Sequence, residues 1–497
     1  MSAPLVAAGP AASPNGTLAS LAAAYLEPWR GGITLAAVDD AHLHWADYRD
    51  AAWGGYVPLG TAHNRLLRVN ILSNRLHYYT CVGSKSKRRL ARQRAALRLL
   101  QSVLDEHGPL PDLDLVVGLS DRPTVPKRAV PPGRSPPPVF AYARTPWHHA
   151  IPFPPVSFDP ARWRPMHARL GSHPPLASRA AAALWRGSCN SLCDMMRERA
   201  CSQPRDRALV SRHALLQTAA RCPSATDVAL TAPHKSCPGA RVMPPLSMPE
   251  HARHALLLHV DGNGFSGRLD ELLTLGGAVL KQASPFEILI IITELLIIIT
   301  VLKQASPFEA FYYPLLRPGV HYAPVPTQPS LLVPASAESA ARHAAVLIWQ
   351  VRANLSDVCA TAAALGGSSF RSSGDGGGAL SSTEELAANA ERLARAYLSP
   401  TAVAEYTASL LRQYAELQHF TPRRHPNAVP WRGSAEEAAG TGAPMGRQGA
   451  AAAGAERGAS SRAGQQSPRR EVCAAGDARC CRRHPRACAS RPVLLVE

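Results

Sequence analysis

The chain has 497 residues, 46% of them hydrophobic, and a formal net charge of +18. The length allows two domains with tails, and the hydrophobic content permits packed cores. The basic residues are dispersed through Ala- and Pro-rich sequence without a nucleic-acid-binding motif, and 11 cysteines are too few for a disulfide scaffold, so unpaired thiols are expected.

The N-terminal part is predicted to be a flexible leader, residues 1–20, followed by a first α/β domain, residues 21–175. Short apolar runs predict strands, and an amphipathic pattern predicts one helix between them. In chain order these predicted elements are 68–72, 74–79, the helix 89–106, and 113–119. The Pro-rich stretch 123–165 is long for a connection, which suggests a functional or inter-domain segment.

A second α/β domain is predicted over residues 176–345, where strands and helices alternate. The order strand–helix–strand favours mostly parallel strands with helices on both faces. Helical patterns follow within 346–425. The composition of 433–497, rich in Arg, Ala, Gly and Ser, cannot bury a core, and this tail is predicted to be disordered.

Residues 288–309 are predicted to be an insertion into the second domain. The nonamer at 279–287 recurs letter for letter at 301–309, whereas structural repeats diverge and recur through a fold. The apolar run between the copies is not predicted to span a membrane, because it is too short and has Glu294 at its centre.

The most informative motif is the apolar segment 255–260, which runs straight into a glycine-rich segment at 261–268 that ends in Arg268. A buried strand that leads into glycines and then an Arg brings backbone N–H groups and a cation close to a phosphate. The segment lacks the Lys of a Walker loop, and Phe265 and Leu272 occupy positions where a calcium loop has ligands. Both of those site types are therefore excluded.

The wording Asp-Gly-Asn-Gly-Phe-Ser-Gly-Arg at 261–268, with His-Tyr-Ala-Pro-Val at 321–325, resembles glycosyltransferase family 90. This is the family of the protein O-glucosyltransferases and the fungal capsule-associated proteins. Trp-Arg-Gly-Gly-Ile at 29–33, Trp-Arg-Gly-Ser at 185–188 and Arg-Asp-Arg at 205–207 resemble further segments of it. The resemblance implies a GT-B architecture, in which two Rossmann-like domains face a cleft. The first would lie on the acceptor side, and the second would bind the nucleotide sugar.

The resemblance also assigns residues to the chemistry of sugar transfer. A carboxylate must take the proton of the acceptor hydroxyl, and Asp121, which follows the strand predicted at 113–119, matches the Asp that serves as general base in the protein O-glucosyltransferases. Cations or N–H groups must hold the diphosphate as it leaves. The residues predicted to bind the donor are Ser188, Arg205, Gly262, Asn263, Gly264, Phe265, Ser266, Gly267 and Arg268.

No metal and no cofactor besides the UDP-sugar donor are expected. The Asp112–Leu113–Asp114 sequence has the DxD form of a metal site, but it lies within a predicted strand. His148 and His149 are predicted to be surface residues. The segment at 321–322 is predicted to pack and to fix a loop rather than to take part in catalysis.

These features predict an inverting enzyme that moves glucose or xylose from a UDP-sugar to a protein Ser or a glycan hydroxyl. The resemblance implies the lumen of the endoplasmic reticulum or Golgi, although no signal peptide or retention signal is visible. Two alternatives stay open. One is a catalytically inactive family member, since the insertion falls between the glycine loop and residues 321–325; the other is a basic nucleic-acid-binding protein.

Overall fold

The structure is a computed structural model that describes residues 14–44, 66–80, 87–121, 124–125, 127, 130–144, 148–189, 211–260, 262, 266–282, 310–325, 357–366 and 382–433. Within these residues the protein is mixed α/β with two sheets, as the sequence predicts. The predicted insertion and, beyond Gly433, the predicted tail lie outside the described residues.

The strands, in chain order, are β1 (Leu66–Leu72), β2 (Arg75–Thr80), β3 (Leu113–Gly118), β4 (Val139–Ala141), β5 (Ile151–Pro152), β6 (Ala183–Gly187), β7 (Thr226–Leu230), β8 (Leu256–His259), β9 (Ala278–Gln282), β10 (Ala323–Val325) and β11 (Val429–Pro430). The helices, in chain order, are α1 (Pro14–Leu26), α2 (Leu35–His44), α3 (Lys87–His107), α4 (Pro160–His167), α5 (Ser211–Ala219), α6 (Met248–His251), α7 (Arg268–Leu272), α8 (Asp357–Gly366), α9 (Thr383–Tyr397) and α10 (Pro400–Glu416).

The first sheet has the strand order β11-β2-β1-β3-β4-β5. β1 pairs antiparallel with both β2 and β3, whereas β3, β4 and β5 run parallel. The sheet thus departs from the all-parallel arrangement of a Rossmann-like domain. The reason is the two-residue turn at Ser73 and Asn74, whose φ angles of 48° and 61° reverse the chain between β1 and β2 as in a tight hairpin.

Helix α3 connects the hairpin to β3 and buries one apolar side. Leu97, Leu100 and Val103 of this side are fully covered, at the spacing that places residues on one face of a helix. The helix predicted at 89–106 is therefore confirmed. The strands predicted at 68–72, 74–79 and 113–119 are confirmed as β1, β2 and β3.

Helix α1 begins inside the segment predicted to be a flexible leader. Leu18 and Ala22, one turn apart, are buried. Gln413 of α10 donates a hydrogen bond from Nε2 to the carbonyl of Ala19 at 3.2 Å. Ala and Leu favour helix, and packing on α10 holds this one in place. The leader prediction is therefore wrong from Pro14 onward, whereas residues 1–13 lie outside the described residues.

The second sheet has the strand order β10-β9-β8-β6-β7, and each of these pairs is parallel. The prediction of parallel strands in the second domain is therefore confirmed. Strands β6, β8 and β9 contribute Trp185, Leu258 and Leu280 to one buried cluster. Leu215 of α5 and Ala362 of α8 complete that cluster from the helices, so helices cover the sheet and leave its strand ends at the edge.

Two disulfides tie the second sheet to its surroundings. Cys189, just after β6, is bonded to Cys237, and Cys222 is bonded to Cys359 of α8. The expectation of unpaired thiols is wrong for these four residues. The partners are 48 and 137 residues apart in sequence, so no local spacing pattern could reveal the pairs.

The strands that flank the predicted insertion pack side by side. Ala323 of β10 pairs in parallel with Leu280 of β9, so the chain returns to the sheet directly beside the strand it left.

Within the part of the chain that the structure describes, no helix combines the length and apolar composition that crossing a bilayer requires.

Candidate functional site

The second sheet has a topological switch point between β6 and β8. The chain passes from β6 to β7 on one side and then returns to β8 on the other side of β6. In open parallel sheets, ligands bind in the crevice outside the carboxyl ends of the strands at such a point. Ser188 follows β6 and Gly262 follows β8, so two residues predicted to bind the donor lie at this crevice.

Arg212 of α5 spans the crevice. Its Nη1 donates to the carbonyl of Ser188 at 2.9 Å, and its Nη2 lies 3.4 Å from the carbonyl of Val260, which it also serves as a donor. The guanidinium lies 5.6 Å from the ring centroid of Trp185. The structure therefore puts a permanent positive charge between the two chain segments that leave β6 and β8. The sequence analysis missed this residue, because nothing local distinguishes it among the chain's 54 Lys and Arg.

Gly262 packs directly against Arg212. A Cβ at Gly262 would lie 2.8 Å from Nη2 of Arg212, so a side chain there would shift the end of the Arg212 side chain. The absence of a side chain at Gly262 therefore leaves room for the guanidinium in its present position.

His259, the last residue of β8, is neutral and shapes the far end of the loop. Burial, together with the charge of Lys281 on the neighbouring strand, lowers its pKa to about 3. Its Nε2 lies 3.1 Å from the carbonyl of Ser266, which accepts the hydrogen bond when Nε2 carries the proton. The neutral imidazole thus holds the loop just before Gly267 and Arg268.

Arg268 begins α7 and is largely covered. It donates a hydrogen bond to the carbonyl of Arg186 in β6, and burial lowers its pKa. The side chain thus links the glycine loop to β6 from behind the switch point. Its binding of a diphosphate stays a prediction. Arg205, Asn263, Gly264 and Phe265 lie outside the described residues.

Asp121 lies at the carboxyl edge of the first sheet, three residues after Gly118, which ends β3. It forms an ion pair with Arg92 of α3, and its side chain is 32% exposed. A carboxylate is therefore accessible at the place where the parallel strands β3 and β4 end. That position suits a base, and the role stays a prediction.

Other carboxylates and imidazoles of the first sheet have structural partners. Asp114 is buried in an ion pair with Arg68 at 2.6 Å, so the second carboxylate of the DxD-like sequence already has a partner in the core. His148 is 5% exposed, and burial together with the charge of Lys127 lowers the pKa of His149 to about 4. The prediction of a surface position is therefore wrong for His148, whereas His149 is half-buried and its backbone N–H donates to the carbonyl of Val125 at 2.9 Å.

Helix α7 joins the two sheets through a buried carboxylate. Asp270 accepts hydrogen bonds from the hydroxyls of Ser157, which follows β5, and Tyr312. The next residue, Glu271, forms an ion pair with Arg162 of α4. Burial is the main cause that raises the pKa of Asp270 to about 7; the two hydroxyls act in the opposite direction, and the charge of Glu271 adds to the rise. The segments after β5 and after β8 are therefore held together by a group that titrates near neutral pH.

We expect the protein to lose stability relative to its Asp270→Asn variant as the pH rises from 5 to 8. An unfolded Asp titrates near 3.9, so up to pH about 7 the folded state holds a proton that the unfolded chain has released. Stability therefore falls with rising pH across this window, by about 2.5 kcal/mol. The measurement is the free energy of unfolding of both proteins at each pH. The control is Asp105→Asn, which replaces an exposed carboxylate on α3. A difference between parent and variant that is equal at pH 5 and pH 8 would contradict the assignment.

Comparison with known families gives one match. A family model, glycosyl transferase family 90, matches residues 59–290. The matched range contains Asp121, Ser188, Arg212 and the glycine loop, and it ends near the start of the predicted insertion at 288–309. No curated protein matches the chain. The resemblance stated from the motifs is confirmed over this range.

Proposed function

We propose that this chain, which belongs to glycosyl transferase family 90 over residues 59–290, transfers a sugar from a UDP-sugar to a hydroxyl. The family supports a transferase with a donor and an acceptor. We further propose UDP-glucose or UDP-xylose as the donor and a protein Ser or glycan hydroxyl as the acceptor. The observation that carries the proposal is the crevice between β6 and β8, where Arg212 meets Ser188 and Gly262.

The crevice suits a diphosphate for a physical reason. As the sugar leaves, negative charge develops on the phosphate oxygen, and a positioned cation in a partly dry cleft stabilises it. Arg212 is held by two backbone carbonyls, so its guanidinium needs little reorganisation when the charge appears. The glycine loop lets the backbone approach the phosphates closely.

The proposed reaction is a single displacement with inversion. The acceptor oxygen attacks the anomeric carbon while the bond from that carbon to the phosphate oxygen breaks. The proton of the acceptor hydroxyl moves to the carboxylate of Asp121, and UDP leaves as an anion. The accessibility of Asp121 at the edge of the first sheet supports this role.

A GT-B arrangement is supported by the contacts of α7. Ser157 follows a strand of the first sheet and Asp270 follows a strand of the second, and both come after the carboxyl ends of those strands. Contact between these segments brings the carboxyl edges of the two sheets toward one another. A UDP-sugar held at β6 and β8 would then face an acceptor near β3.

Metal-free chemistry and a lumenal location are the remaining parts of the proposal. The Asp114 carboxylate already pairs with Arg68, which supports donor binding by cationic side chains rather than by a DxD-bound metal. Two disulfides, at Cys189–Cys237 and Cys222–Cys359, support an oxidising compartment such as the secretory lumen, because such bonds are rare in the cytosol.

The test uses the full-length protein with UDP, GDP and a panel of labelled UDP-sugars. We expect UDP to bind in calorimetry without added metal, GDP to bind more weakly, and one UDP-sugar to be turned over with inversion at the anomeric carbon. UDP binding without turnover of any donor would identify the inactive alternative. Salt-sensitive binding of DNA or RNA without UDP binding would replace the proposal with the nucleic-acid alternative.

A further inference from the structure

Arg92 reaches the carboxyl edge of β3 from α3. Its Nη1 donates to the carbonyl of Leu119 at 2.8 Å, and its Nη2 donates to Oδ1 of Asp121. A guanidinium is planar and rigid, so these two bonds set the orientation of the carboxylate relative to the backbone that ends β3. The side chain of Asp121 is therefore tied to the sheet and not just to the loop that carries it.

The side chains of Arg92 and Asp121 differ in solvent exposure. The Arg92 side chain is 15% exposed and that of Asp121 is 32% exposed. A substrate can thus approach the carboxylate while the guanidinium lies behind it. An ion pair with a partly exposed member contributes little to stability, so folding alone gives a weak reason for this geometry.

Tyr142, which follows β4, lies close enough to Arg92 and Asp121 to feel both charges. Burial raises its pKa, the charge of Arg92 lowers it and the charge of Asp121 raises it, so the phenol is neutral and lies within electrostatic range of both groups. Its hydroxyl has no hydrogen-bond partner among the described residues. A neutral phenol does not compete with Asp121 as an anionic partner for Arg92.

We propose that Arg92 is a positioning residue that orients the carboxylate of Asp121 toward the acceptor hydroxyl. The inference rests on the proposed function, in which Asp121 takes the acceptor proton. Proton transfer requires the carboxylate oxygen within hydrogen-bond reach of that hydroxyl, and a small displacement of a reacting group lowers the rate steeply. Arg92 acts through Asp121 and so affects turnover rather than donor binding.

The same helix offers a matched control. Arg98 of α3 donates from Nε to Oδ1 of Asp159 at 2.8 Å. Asp159 has a structural task, because its side chain caps α4 by accepting a hydrogen bond from the N–H of Ala161 at 3.3 Å. Arg98→Gln therefore breaks the same kind of contact on the same helix without touching Asp121.

The experiment measures kcat, donor KM and Tm of the full-length protein and five variants: Arg92→Gln, Arg92→Lys, Arg98→Gln, Asp121→Asn, and Arg92→Gln combined with Asp121→Asn. Arg92→Gln should lower kcat about 10- to 100-fold with donor KM nearly unchanged. Arg92→Lys should lie between it and the parent. Arg98→Gln should lower Tm as much as Arg92→Gln yet keep kcat. The double variant should be no slower than Asp121→Asn alone, because residues that act as one unit are not additive.

Three results would overturn the inference while leaving the proposed function intact. They are an unchanged kcat in Arg92→Gln, an equal loss of kcat in Arg98→Gln, and a double variant slower than Asp121→Asn by the whole Arg92→Gln factor. A parent protein that transfers sugar from no donor overturns the proposed function and this inference together, so the two failures are distinguishable.

Discussion

Asp121→Asn is expected to lower the turnover of sugar transfer by about two to four orders of magnitude. An amide has nearly the shape of a carboxylate, and its oxygen can still accept the hydrogen bond that Arg92 donates. It cannot take the acceptor proton. The fold and the affinity for UDP should therefore be kept while the chemical step is lost. Initial rates with the preferred donor, with calorimetric UDP affinity beside them, measure both.

The control for this prediction is Asp112, at the other end of β3 from Asp121. Asp112 precedes β3 and accepts a hydrogen bond from the backbone N–H of Ser73 at 2.6 Å. Asp112→Asn removes one carboxylate from the same part of the chain and should leave turnover unchanged. If Asp121→Asn also turns over within a few-fold of the parent, another group takes the proton.

Arg212→Ala is expected to weaken UDP binding by about 2–4 kcal/mol, because a charge-assisted contact to the diphosphate is lost in a partly dry crevice. Arg212→Lys should recover part of that affinity, since an ammonium keeps the charge but not the two-pronged geometry. Calorimetry of UDP binding to the three proteins gives the result directly. The lost bonds to Ser188 and Val260 should also lower Tm slightly.

Two further arginines provide comparisons for Arg212→Ala. Arg241 pairs with Asp227 and is 54% exposed, so Arg241→Ala removes a positive charge from the same half of the protein and should leave UDP affinity unchanged. Arg268→Ala removes the bond to the Arg186 carbonyl and should lower Tm more than Arg212→Ala does. Unchanged UDP affinity in Arg212→Ala would remove this residue from the donor site.

Much of the fold could be read from local patterns. The helix α3 and the strands β1, β2 and β3 appear where apolar periodicity predicts them, because burying one face of an element needs a regular spacing of apolar residues. The parallel second sheet follows from the alternation of strands and helices. The leader prediction failed from Pro14 onward, since α1 is held by α10, nearly 400 residues away in sequence.

The candidate site was predicted in part. Gly262 and Ser188 belong to recognisable sequence motifs, and both follow strands that border the switch point. Arg212 belongs to no motif. It reaches the crevice because α5 packs beside the segment that follows β6. Arg92 was not predicted either. It belongs to a basic amphipathic helix, and the charged face of such a helix is expected to lie in solvent. The disulfide partners are just as invisible, being 48 and 137 residues apart.

The sequence by itself indicated the family resemblance over residues 59–290, the types of most elements and the residue classes available for chemistry, because these depend on spacings of a few residues. Tertiary structure decided which charges meet. In the folded protein, Arg92 forms an ion pair with Asp121, and Arg212 packs against Gly262. Asp270 is buried and accepts hydrogen bonds from Ser157 and from Tyr312, which follows the predicted insertion in sequence. Such pairings depend on the packing of segments that are distant in sequence. The pKa of Asp270 is raised to about 7 because that packing buries the carboxyl group.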